Sequence, residues 1–129
     1  MSQFELLKWM HLLAAAVWTG GMIVLAFLVG AIRRAGTDIE VLRLLARTFA
    51  WVSWTAMAIA IFTGFVNYTS LGLAWSRFSL KGTLIILSIA LALWHQLTAK
   101  NSSPAVRGIG QAVILVLAVA IFGAAVVLV

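Results

Sequence analysis

The chain has no cysteine, a single proline and only three carboxylates, Glu5, Asp38 and Glu40. Without thiols there are no disulfides, thiolate metal sites or cysteine nucleophiles, so any metal ligand must be nitrogen, oxygen or methionine sulfur. The three acids sit at the edges of apolar runs, and no catalytic triad or glycine-rich phosphate loop is present, so hydrolytic and nucleotide chemistry find no machinery. Charge of either sign is scarce: 9% of the 129 residues are charged against 64% apolar, too little polar surface to cover a water-soluble globule.

What the chain does have is hydrocarbon in long, continuous stretches. Residues 9–32, 48–76, 82–99 and 108–129 are free of Asp, Glu, Lys and Arg, each near or above the roughly 18–20 residues that a hydrocarbon core requires. Backbone groups in lipid must be satisfied within the spanning structure, which leaves helices or a closed barrel. The runs lack the alternation of barrel strands. The sequence therefore predicts an all-α integral membrane four-helix bundle, one domain over 1–129, with spans at about 4–32, 48–72, 80–99 and 108–129. The first run is about twice the length of a signal-peptide core and begins beside Glu5 and a single Lys8, so it is read as retained.

Gly36 is placed to end the first helix and Thr37 or Asp38 to cap the second, so residues 41–47 should already be helical. The second connection is predicted over 72–78 and the third over 101–104, with Pro104 stopping the third helix. Arg33, Arg34, Arg43, Arg47, Lys100 and Arg107 collect at one membrane surface, against Lys8, Arg77 and Lys81 at the other. That bias places both termini outside. It also accounts for the net charge of +6 without nucleic acid, because the basic residues flank the spans and form no amphipathic stripe. Trp9 and Trp75 fall at the outer interface and Trp51, Trp54 and Trp94 toward the inner one, while Trp18 lies within the hydrocarbon.

Ionisable groups in a membrane are costly unless paired, which directs attention to His11, Lys81 and His95. Each has a plain structural reading: a histidine bonded to a neighbouring helix, a snorkelling end residue and an interfacial histidine, respectively. Helical spacing puts Lys8, His11, Ala14, Ala15, Trp18 and Met22 on one face. The two alanines leave a shallow trough that serves either helix packing or a flat ligand. Ser53, Ala60, Thr63, Gly64 and Asn67 form a second narrow polar stripe, and Lys81, Ser88, Ala92 and His95 a third. Fourteen residues separate Lys81 from His95, about 21 Å along a helix, so they cannot ligate one iron. His11 and His95 likewise differ in depth, which leaves His95 as a ligand only for a second centre.

A closed zinc site needs about four nitrogen or sulfur ligands at one depth, which these residues do not supply. Haem b needs one or two axial ligands, so His11 with Lys8 or Lys81 for a propionate, Asn67 nearby and Trp18 against the ring is an economical site. Copper through His11 with Met10 or Met22 is the alternative. The fourth span, with Gln111 near its start and then Ala118, Ala120, Gly123, Ala124 and Ala125, suits packing or self-association and carries no chemistry.

The run His11-Leu-Leu-Ala-Ala-Ala-Val-Trp18-Thr-Gly20-Gly21 resembles the opening helix of the CopD superfamily, which includes copper-resistance membrane domains and the HemJ-type protoporphyrinogen oxidases. Thr63-Gly64, Trp75, Lys81 and His95 continue the likeness, which covers about Leu6 to His95. In the HemJ branch the first-helix histidine and the third-helix lysine are linked to haem b and activity. The resemblance thus implies these catalytic and cofactor roles for His11 and Lys81. The chain departs from that branch in lacking its Tyr-Leu-Pro-Arg-Leu-Phe run and in having Arg107-Gly108-Ile109-Gly110 before the fourth helix, which brings it nearer to a stand-alone CopD-like domain. The resemblance implies a multi-pass protein of the inner (plasma) membrane. Its partners would be lipid, a quinone or porphyrin substrate, and a second copy or a larger complex; its activity would be electron transfer or oxidation, or alternatively copper transport or tolerance. The small size and plain fourth helix also suit a non-catalytic subunit of a larger membrane complex.

Overall fold

In a computed structural model, which describes residues 1–72, 74–98 and 100–128, the chain forms α1 (Gln3–Arg34), α2 (Ile39–Ser70), α3 (Trp75–Thr98) and α4 (Pro104–Leu128). All four are long and apolar enough to cross a membrane. Large apolar side chains point outward along them, Phe27, Trp51, Leu97 and Val126 each being more than three-quarters exposed. Such a surface is stable against lipid and not against water. The protein is an all-α, multi-pass membrane protein.

Local chemistry sets the helix ends. Ser2 Oγ accepts from the Glu5 N–H at 3.2 Å while Glu5 Oε2 accepts from the Ser2 N–H at 2.8 Å, a reciprocal cap that opens α1. Arg33 and Arg34 occupy its last turn, where positive charge complements the helix dipole. Gly36 then takes φ +74°, a left-handed conformation that costs glycine nothing. Asp38 Oδ1 accepts from the Glu40 N–H at 3.3 Å and starts α2, so residues 41–47 are helical as the sequence predicts.

Two connections differ from expectation. The second is shorter than 72–78: Gly72, at φ +64°, turns the chain and α3 begins at Trp75. The polar pair Ser76-Arg77, which reads as loop, lies exposed in the first turn of that helix. Pro104 does not stop α3, which ends at Thr98, but opens α4; proline fits a first helical turn because its missing N–H would be unsatisfied there anyway. Ser103 Oγ caps that turn, accepting from the Val106 N–H at 3.2 Å.

The chain divides into two compact units, Met1–Leu73 and Ala74–Val129. In the first, α1 packs on α2, burying Ala14, Trp18, Thr19 and Met22 of one helix and Ala56, Met57, Thr63 and Tyr68 of the other. In the second, α3 packs on α4, burying Ser88 of α3 and Ile114, Ala118, Ile121 and Ala124 of α4. Small residues alternate with Ile114 and Ile121 in this seam, and at Ala118, fully inaccessible, two backbones can approach closely in a medium that supplies no hydrophobic drive between helices.

Candidate functional site

The first unit is a helical hairpin, so its two helices run antiparallel and the third turn of α1 meets the late turns of α2. His11 Nδ1 lies 2.7 Å from the carbonyl oxygen of Ala60 and 3.3 Å from Thr63 Oγ1. A carbonyl can only accept, so Nδ1 carries the proton and donates it. Thr63, 1% exposed, donates its own hydroxyl proton to the Ile59 carbonyl at 2.6 Å, which leaves its oxygen to accept a share of the imidazole N–H. Gly64 completes the seat. A Cβ on Gly64 would stand 2.8 Å from His11 Cε1 and 3.1 Å from Nδ1, so the ring occupies space that only glycine leaves open.

The polar stripe of α2 and the histidine stripe of α1 therefore face each other. Asn67, one turn beyond Thr63, is half-buried, and its Oδ1 is fully buried with no hydrogen-bond partner among the described residues. Lys8, one turn before His11, is exposed. Ala14 and Trp18, at 6% and 7% exposure, are core residues of the hairpin, and Ala15 is half-buried. Ala14 and Trp18 lie inside the hairpin against α2, and Ala14 also lines an open apolar groove.

An open apolar groove of about 490 Å³ runs beside this seam, lined by Trp9, Met10, Leu13, Val17, Val52 and Ile59 among others. Met10 faces it rather than His11, and Met22 stands eleven residues, or about 16 Å, along α1 from the imidazole. At that spacing His11 and Met22 do not share one ion. Among the described residues no three His, Cys, Asp or Glu side chains come together as a metal cluster. The donor set fits a cofactor that needs a single axial imidazole and does not fit a metal ion that needs several protein ligands.

In the second unit Lys81 is half-buried in the second turn of α3. Ser88 is 1% exposed with its Oγ unpartnered among the described residues, and His95 Nδ1 lies 3.2 Å from where a Cβ on Gly110 of α4 would stand. His95 is seated on a glycine of its partner helix much as His11 is.

Sequence reasoning identified His11 and the α2 stripe but not that Ala60, Thr63 and Gly64 form the seat of the imidazole. The signal was available. A short connection forces an antiparallel pair, and counting back equally from the turn brings residue 11 opposite residues 60–64. No family model matches the chain, and no curated protein or solved structure does.

Proposed function

We propose that the chain is a CopD-like membrane protein that binds haem b through His11 and takes part in electron transfer or in oxidation of a quinol or porphyrinogen within the bilayer. One observation carries this reading: the His11 ring is held by an Nδ1–H bond to a backbone carbonyl, the arrangement by which proteins fix the tautomer and orientation of a metal-ligating histidine. An imidazole part-buried among hydrocarbon is costly to keep, and a bound group on Nε2 would offset that cost. When bound, haem b would supply a one-electron couple whose potential follows from its axial ligand and surroundings.

The chain's own residues have distinct parts in this proposal. Ala60 O and Thr63 Oγ1 hold the Nδ1 proton in place. Gly64 sets how deeply the ring enters α2. Asn67 Oδ1, buried without a partner among the described residues, offers an acceptor to an N–H or O–H of the substrate class named above. Lys8 provides a cation at the end of α1 for a propionate. Lys81 is tied to activity through the family resemblance. The arginine bias places both termini outside the inner membrane.

An absorption spectrum of protein purified from haem-replete cells tests the reading. A Soret band is expected, with loss or a marked shift in His11→Ala. If the wild type lacks the band, or His11→Ala keeps it unchanged, His11 is simply an interhelical hydrogen-bonding residue.

A further inference from the structure

The connection of the first unit holds a charge surplus that its own carboxylates do not neutralise. Four exposed arginines, Arg33, Arg34, Arg43 and Arg47, crowd into fifteen residues of sequence with only Asp38 and Glu40 between them. Both acids are engaged internally. Asp38 Oδ1 caps α2 through the Glu40 N–H, and Glu40 Oε1 pairs with Arg43 at 2.9 Å. Among the described residues Arg33, Arg34 and Arg47 have no carboxylate within salt-bridge distance.

Depth gives this surplus a meaning. Each helix of the hairpin has 32 residues, about 48 Å, against a hydrocarbon core of about 30 Å. The charge-free runs stop at Ile32 and resume at Thr48, directly beside Arg33 and Arg47, so the excess length at the arginine-bearing ends stands at or beyond the level of the lipid headgroups. Trp51, 77% exposed and one turn past Arg47, has the position of an interfacial anchor. Ile39 and Leu44, 58% and 64% exposed, are interspersed with the arginines in sequence and offer apolar contacts at the acyl boundary.

We infer that the α1–α2 connection is a binding surface for anionic phospholipid, with Arg33, Arg34 and Arg47 engaging headgroup phosphate and Ile39 and Leu44 resting against the acyl chains. Arginine is suited to this because its planar guanidinium donates two parallel hydrogen bonds to one phosphate. The proposal is independent of the haem reading.

Spin-labelled lipids in nanodiscs test it. The full chain is reconstituted in three parts phosphatidylcholine to one part phosphatidylglycerol, the same in both leaflets so that orientation has no effect. Labelled phosphatidylglycerol is expected to be immobilised at the protein about threefold or more over labelled phosphatidylcholine, a modest excess for three basic residues at a screened surface. Arg33→Gln/Arg34→Gln/Arg47→Gln should bring the ratio close to one, with helix content by circular dichroism unchanged. Arg43→Gln should leave it high, since that guanidinium is held by Glu40. A ratio of one in the wild type overturns the proposal. So does an equal fall in Lys8→Gln/Arg77→Gln and in Arg33→Gln/Arg34→Gln, which would reduce the effect to net charge. Displacement by inorganic phosphate beyond that by chloride at equal ionic strength would make the site one for free phosphate instead.

Discussion

At Gly64 one hydrogen atom in place of a methyl group decides whether an imidazole fits between two helices. Gly64→Ala would bring a carbon to 2.8 Å from His11 Cε1, so ring or backbone must move and the 2.7 Å bond to Ala60 O is lost. We expect a stability loss of about 1–3 kcal/mol, read as a lower midpoint of thermal unfolding in detergent. Gly20→Ala, with no atom within 4 Å of the new Cβ, should show no loss. The same geometry places a proton on Nδ1: nitrogen NMR of labelled protein should find Nδ1 protonated at His11, and an unprotonated Nδ1 would remove the bond to Ala60 from the account. His11 itself was legible in the sequence because a polar ring stands out in an apolar run. Its seat was not, since alanine, threonine and glycine are ordinary in membrane helices and only the antiparallel register gives them a role. That Trp18 is buried was legible too, since it stands on the same inward stripe as His11.

Among the elements, the turns carry the largest local demand. Gly36 and Gly72 sit at φ +74° and +64°, where a Cβ meets the adjoining carbonyl. Gly36→Ala and Gly72→Ala should each cost about 1–2 kcal/mol, whereas Gly108→Ala, inside α4 with open space around it, should cost nothing and gain in helix propensity. Unfolding midpoints of the three variants check this. Helix number, apolar faces and the Gly36–Asp38 turn were legible because charge scarcity and capping residues are explicit in the chain. The start of α3 was not, because Ser76 and Arg77 suit both a loop and a solvated first turn. Pro104 was read as a stop when its place next to the Ser103 cap makes it a start.

For the molecule as a whole, topology is the property most open to direct test, and the lack of native cysteine makes the test clean. Single cysteines at Ser2, Thr37, Ser76 and Ser102 report on the four ends of the helical hairpins. With both termini outside, a membrane-impermeant maleimide should label Ser2→Cys and Ser76→Cys in intact cells and reach Thr37→Cys and Ser102→Cys only after lysis. The opposite pattern would reverse the orientation that the arginine bias predicts. Within each unit the inward residues are buried against the helix adjacent in sequence, α1 against α2 and α3 against α4.

That sequential pairing has a consequence for how the protein is made. A ribosome delivers α1 and then, four residues after its end, the helix that seats its histidine, so the imidazole need wait in the bilayer only for the time taken to synthesise α2. His11 and its seat of Ala60, Thr63 and Gly64 are all synthesised once Ser70 has emerged, before any of α3 exists. The hairpin's costly polar atom is thereby sheltered during biogenesis by the order of the chain itself.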